Sequence, residues 1–393
     1  MGEYKGRPGA IILGGSFHSL GAARNLAEHN VPVCILDSCL SVARLSRYVS
    51  SCPKCPSIDN EAELVGFLVQ LAMERDMAGW VVFPSTDEYV RIVAQHRNRL
   101  GKYYKLTTPD WEVVKFLYDK RLTSYLARDR SIPIPETHTL TRLEDLTLLN
   151  LDFPVVLKPA ISKRFMAVTK KKAYRANNVE ELISLYKEMA EIIDPSQILI
   201  QKLILGRTRN LYSYVGFFRG GVPVAGMSAR RLRQHPMEFG RASTFVEAVN
   251  ILELRALATR FLEGIAYTGL AEVEFMYDER DARFELLEVN ARIWGWHSIA
   301  ARAGLPLIYL AYADAIGEEM IISLPSKVVK WARLVTDVPT ALREILLGRL
   351  TVRQYLASMS GDIEFAVLSL KDPLPFIADL LLTPYNYLTD RGF

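Results

Sequence analysis

Short apolar runs alternating with helical stretches leave the first hundred residues few ways to fold. Ala10-Ile11-Ile12-Leu13-Gly14, Val31 to Asp37 and Trp80-Val81-Val82-Phe83 read as strands; 19–30, 61–77 and 88–96 carry helical periodicity between and after them. Strands without internal polar alternation, separated by helices, imply a parallel sheet covered on both faces. This front unit ends near residue 105. The glycine pair Gly14-Gly15 between the first strand and its helix has two readings. It permits a tight crossing, or it cradles a dinucleotide pyrophosphate with Asp37 on the ribose. The next glycine, Gly21, is misplaced for the GxGxxG pattern, which favours the crossing.

Beyond it the periodicity changes. Residues 110–130 are helical and end at Ile132-Pro133-Ile134-Pro135, where two prolines favour an extended connection. Phe153-Pro154-Val155-Val156-Leu157-Lys158-Pro159 is a strand with one lysine in it, 179–193 a helix, and Gln197–Leu203 another strand. Alternating segments at 211–218, 222–230 and 270–277 follow. The last pairs with 283–289 across Asp278-Glu279-Arg280-Asp281 as a hairpin. The stretch 135–290 is therefore α+β and more antiparallel than the front. From about 330 the character shifts again: 338–359 reads as two short helices, and 373–388 mixes proline, leucine and aromatic residues. Packing on the body, pairing subunits into a homodimer and touching a membrane surface are all open to this tail. Its repeated prolines argue against one long amphipathic membrane helix.

Half of the 393 residues are hydrophobic, which excludes a wholly disordered chain. The 48 basic and 44 acidic residues nearly balance, so nothing points to a nucleic-acid partner. No run approaches the roughly 18 apolar residues of an integral membrane segment, and the first residues lack a signal-peptide core, so a cytoplasmic location is expected. Cys52-Pro53-Lys54-Cys55 has zinc-binding or dithiol spacing, but a zinc site needs two more ligands and Cys34 falls within a strand; reduced thiols are expected. The six histidines form no metalloprotease pattern.

The chemistry concentrates in the hairpin. Period two puts Glu288 and Asn290 on one strand face, and Glu274 opposes them. Two carboxylates and an amide oxygen are hard ligands suited to Mg²⁺ shared with nucleotide phosphates; a polar sheet edge with solvated acids is the bland alternative. Arg292, two residues beyond Asn290, is placed to offset phosphoryl charge. Lys158 emerges from an otherwise apolar strand. Together these residues suggest a nucleoside-triphosphate site built without a P-loop, since no GxxxxGK[ST] segment exists.

From about Lys120 to Gly317 the chain resembles the ATP-grasp superfamily, and within it the carboxylate–amine ligase branch with its carbamoyl-phosphate-synthase-like and D-aspartate-ligase-like members. The resemblance rests on Asp119-Lys120, on Phe153 to Pro159, on Ile200-Gln201-Lys202-Leu203 and on Glu274, Glu288, Asn290 and Arg292. The opening strand–Gly-Gly–helix and Phe83-Pro84-Ser85-Thr86-Asp87-Glu88 resemble the preceding domain of those enzymes. It implies an α/β chain: an ATP-grasp fold preceded by a Rossmann-like pre-ATP-grasp domain (1–105) and a linker helix region (106–135). The ATP-grasp part divides into a small lid subdomain (136–205) and a large subdomain with the metal site (206–330), and 331–393 forms a helical extension. It also implies ATP as the nucleotide, held by Lys120 and Lys158 at phosphate, by Gln201, Lys202 and Leu203 at adenine, and by Glu274 and Glu288 through Mg²⁺, for which Mn²⁺ can substitute. The ligands to that metal would be Glu274, Glu288 and Asn290, with Arg292 and Lys158 acting at the transferred phosphate. The implied reaction joins a small-molecule carboxylate to an amine through an acylphosphate. A small-metabolite kinase and a catalytically weak ATP-binding protein on the same fold are the alternatives. Two segments depart from the family. Gly206-Arg207-Thr208-Arg209 stands where relatives carry a ribose-binding acid, and Ala160 to Met166 is basic and bulky where they carry a glycine-rich phosphate loop.

Two further expectations concern substrate and motion. Arg230-Arg231-Leu232-Arg233 and Arg241 concentrate guanidinium groups, and Arg233 or Arg241 is expected to clamp the carboxylate being activated, giving Arg241 a catalytic role as well. The turn Lys163-Arg164 is expected to close over the phosphates only when nucleotide is bound, as part of the 136–200 lid.

Overall fold

A computed structural model describes residues 7–140, 143–204, 208–322, 325 and 327–389. The front unit is the parallel sheet its alternation requires. Strands β1 (Ala10–Leu13), β2 (Val33–Leu36), β3 (Val81–Pro84) and β4 (Lys105–Leu106) lie in the order β2-β1-β3-β4, all paired parallel. Successive side chains of β1 serve opposite layers. Ala10 and Ile12 pack with Leu20 and Leu26 of the helix Phe17–Glu28. Ile11 and Leu13 pack with Leu64 and Leu68 of Glu61–Glu74 and Ile92 of Asp87–Gln95. At the β1 exit Gly14 has φ +95°, a region closed to most side chains. A Cβ on Gly15 would collide with Ser41 and Asp37. The pair serves a tight crossing packed by the chain's own side chains. The four cysteines are free thiols. Cys34 and Cys55 are buried, and burial pushes both up to about 11, far from the reactive range.

The small sheet is antiparallel. It contains β5 (Thr137–Thr139), β6 (Val155–Pro159), β7 (Tyr174–Ala176) and β8 (Ile198–Lys202) in the order β5-β8-β6-β7. Leu182, Tyr186 and Met189 of the helix Val179–Ile192 close its core over Val155, Leu157 and Ile200. The bulky stretch after Pro159 departs from the flexible loop expected there: Ser162–Thr169 is a helix that buries Phe165.

The large sheet has seven strands: β9 (Leu211–Arg219), β10 (Val222–His235), β11 (Ala242–Val249), β12 (Gly269–Asp278), β13 (Arg283–Asn290), β14 (Lys330–Ala332) and β15 (Ile363–Phe365). Their order is β13-β12-β9-β10-β11-β14-β15, antiparallel except for the final pair. The hairpin falls where the sequence places it, between Asp278 and Arg283. The tail is more than the helical extension expected. Its helices Leu334–Leu346, Val352–Ser358 and Leu374–Thr389 are tied in by β14 and β15, which lengthen the sheet. The last helix tolerates Pro375 because it lies in the first turn, where the missing N–H has no helical partner to lose. Among the described residues, no helix is long and apolar enough to cross a membrane.

Candidate active site

The β12–β13 register sets Glu272 opposite Asn290 and Glu274 opposite Glu288, so the pleat brings all four side chains to one face. Asn290 Nδ2 donates to Glu272 Oε2 (3.1 Å) and Glu274 Oε1 (3.0 Å). Ser213 on β9 donates to Glu272 Oε1 at 3.2 Å. Arg231, reaching over from β10, stands 3.1 Å from Glu274 and 3.8 Å from Glu272. Burial raises the Glu272 carboxyl, and the charge of Glu274 adds to the effect. Glu288 behaves oppositely. Burial opposes its charge, yet Lys172, whose Nζ donates to Oε1 at 2.9 Å, and Lys120 outweigh it and hold the carboxyl well below its ordinary range.

Facing these acids are three lysines from the small-sheet side. Lys120 opens the helix Lys120–Asp129; its backbone N–H donates to Ala160 O, and its Nζ donates to Ser162 Oγ at 3.0 Å. Lys158 projects from β6. Burial, then the like charge of Lys120, pulls its ammonium down to about 7. Lys172 follows the helix Ser162–Thr169. Glu274, Glu288 and the three lysines border a cavity of about 780 Å³, the size of a small-ligand site. Gln201, Lys202 and Leu203 at the end of β8 line it too, with Gln201 fixed by its amide donating to Thr137 Oγ1 at 2.7 Å. The outer wall comes from Arg230 on β10 and from Arg349, Leu350 and Gln354 of the tail.

Of the residues singled out from sequence, Lys120, Lys158, Gln201, Lys202, Leu203, Arg233, Glu274 and Glu288 border this cavity. Asn290 and Arg292 stand behind its wall: Arg292 donates to Asn290 Oδ1 (3.2 Å) and to Asp87 Oδ1 (2.9 Å), which ties the acids to the front unit. Arg233 has other work. Its guanidinium makes a buried two-point pair with Asp337 (2.8 and 2.9 Å), donates to Ser358, and lies over the rings of Phe245 and Tyr355. The divergence from Arg231 has a local cause: a bulge between Arg231 and Arg233 breaks the alternation of β10, so the two guanidinium groups take different partners. Arg241 is half-buried beside His235 and is not among the residues that line this cavity. Lys163 does not reach over the lysine cluster. It pairs with Asp59 (3.2 Å) and Glu88 (3.6 Å) of the front unit. Gly206 and Arg207 lie outside the described residues.

Sequence reasoning passed over Glu272, Lys172 and Arg231. Glu272 obeys the same period-two rule as Glu274. Lys172 ends a run of three lysines that reads as solvated, and nothing local distinguishes Arg231 from its neighbours. The donor chemistry suits a hard divalent cation, with carboxylates of Glu274 and Glu288 directly opposed and the Asn290 amide beside them. Lys172 pairs with Glu288 and Arg231 with Glu274, and the Asn290 amide donates to Glu274.

Residues 120–322 match the family described as carbamoyl-phosphate synthase L chain, ATP binding domain. Among curated proteins, the chain is similar to the D-aspartate ligase of Enterococcus faecium (strain Aus0004). The two are 26% identical over 298 residues, covering 72% of this chain and 70% of that protein. Among solved structures, an L-amino acid ligase from Bacillus licheniformis superposes with a TM-score of 0.62 at 17% identity, covering 79% of this chain and 75% of that one. A biotin carboxylase from Campylobacter jejuni gives 0.66 at 16%, covering 82% and 73%.

Proposed function

Because the chain belongs to the carbamoyl-phosphate synthase ATP-binding family, in the carboxylate–amine ligase branch of the ATP-grasp superfamily, we infer that it is an ATP-dependent ligase joining a carboxylate to an amine. The observation that carries this reading is the convergence of Lys120, Lys158 and Lys172 with Glu274 and Glu288 on one cavity. In the first step a substrate carboxylate oxygen attacks the γ-phosphorus of ATP, and the bond to the bridging oxygen breaks, releasing ADP. In the second an amine attacks the acyl carbon of the resulting acylphosphate; phosphate leaves with the bonding pair and the amine gives up a proton. Charge on the phosphoryl oxygens grows and shifts in the first step, so preorganised cations stabilise its transition state more than its ground state.

The lysines fill that role from the small sheet, and Gln201, Lys202 and Leu203 border the adenine end. Glu274, Glu288 and Asn290 would hold Mg²⁺ or Mn²⁺, which supplies charge neutralisation to the phosphates when bound. Turning the Asn290 amide would present its oxygen in place of its N–H groups, at the cost of the bond that Oδ1 accepts from Arg292. Arg292 orients Asn290 and anchors the front unit through Asp87. With Arg233 committed to Asp337, the acid is assigned to the outer wall at Arg230 and Arg349. The small sheet, entered through the extended Pro133–Pro135 connection, is assigned the motion that keeps water from the acylphosphate.

A screen of acid and amine pairs with ATP and Mg²⁺ tests the reading by phosphate release and product mass. A new amide with stoichiometric ADP and free phosphate is expected. A product that retains the phosphoryl group would make the protein a kinase instead.

A further inference from the structure

The tail presents a surface whose apolar and charged residues are sorted in a way that neither the fold nor the cavity requires. On the helix Leu334–Leu346 the inner face is buried through Asp337, Thr340, Ala341 and Glu344. Val338, Leu342 and Leu346 repeat every fourth residue on its outer side, with Leu346 88% exposed. Val352 and Leu356 repeat the spacing on the next helix, and Leu374, Ile377 and Leu381, three and four residues apart, share one side of the last, which packs against the first. Half of the large apolar side chains exposed among the described residues fall within 338–381.

The charges are sorted as well. Arg343, Arg349, Arg353 and Lys371, the basic residues of 338–381, are all exposed. The acidic residues of the same stretch are withdrawn. Glu344, Asp372 and Asp379 are buried, the last two on Arg24 and Arg333; Asp362 pairs with Arg302 at 2.8 Å, and Glu364 is half-buried. What remains outside is leucine, valine and positive charge.

We propose that this face of the tail docks the protein onto an anionic lipid bilayer surface. Apolar stripes can enter the acyl boundary while arginine and lysine meet the phosphates, the combination that holds a protein at an interface without a spanning helix. A second copy fits less well: Arg349 has Glu344 beside it at 3.7 Å, but a two-fold contact through this face would bring Arg343, Arg353 and Lys371 toward their own copies. Docking would also hold the cavity close to the lipid, since Arg349 and Leu350 join the first two of these helices and Gln354 lies on the second.

Co-sedimentation of the full chain with vesicles tests this. Phosphatidylcholine vesicles alone should leave the protein in solution, and vesicles with about a quarter phosphatidylglycerol should pellet it, less so as salt rises. Arg343→Glu/Arg353→Glu should lower binding on the order of tenfold, and Leu342→Ser/Leu346→Ser should weaken it at every salt concentration. These positions are exposed, and matching thermal unfolding curves verify that both variants fold. Failure of the wild type to pellet with anionic vesicles would overturn the proposal, as would binding indifferent to both variants. So would a dimer, seen by light scattering, that the leucine variant dissolves.

Discussion

Lys158 sits beside Lys120 with its ammonium near half-deprotonation at neutral pH, whereas a bound polyphosphate favours the charged form. Nucleotide binding should therefore be independent of pH below about 7 and weaken above it, by at most about tenfold per pH unit. Near pH 8 each ADP bound should take up close to one proton, read by titration calorimetry in buffers of different ionisation enthalpy. Lys158→Met should abolish the uptake, and an unchanged proton count in that variant would remove the lysine from the phosphate site. Glu288→Gln leaves Lys172 without its charged partner and removes an opposed carboxylate. Turnover with Mg²⁺ should drop on the order of a hundredfold with the fold retained; wild-type metal dependence would argue against ligation. At this scale the site was partly legible. Glu274, Glu288 and Asn290 follow from strand parity alone. Lys172 and Arg231 do not, because their surroundings come from a different sheet and a neighbouring strand.

Among elements, β10 shows most clearly where local reasoning ends. Simple alternation would keep Arg231 and Arg233 together, but the bulge sends one to the acids and the other to Asp337. Asp337→Ala would strand a buried guanidinium and should cost about 3–5 kcal/mol in urea unfolding. Arg233→Met combined with Asp337→Leu should recover most of that loss; an equally unstable double variant would mean that the pair's geometry, rather than its charge, holds the tail. The parallel front strands, the β6 and β8 strands and the β12–β13 hairpin were readable because each carries its own period and its own turn. Strands β14 and β15 were not. Three residues give no period, and both exist because the edge of β11 offers hydrogen bonds to whatever segment returns to it.

For the whole molecule, the acid limb of stability should carry the mark of Glu364. Burial, with Glu28 adding, raises its carboxyl to about 7 against the attraction of Arg302 and Arg24. A carboxyl that holds its proton more tightly when folded stabilises the protein fully below its unfolded value, and that contribution is lost as pH rises through about 7. Between pH 5 and 8 the melting temperature of the wild type should fall relative to Glu364→Gln; parallel curves would show that the residue titrates normally. The side chain lies on β15, far in sequence from the acids of β12 and β13, yet on the same sheet. That continuity has a consequence for how the protein can be divided. The family match ends at residue 322, but hydrogen bonding runs on through Phe365. A fragment cut where the likeness ends would uncover the β11 edge and leave Arg233 without Asp337, so it should precipitate instead of yielding a minimal enzyme. The tail lies beyond the family match, yet it supplies the last two strands of the sheet that carries the acids.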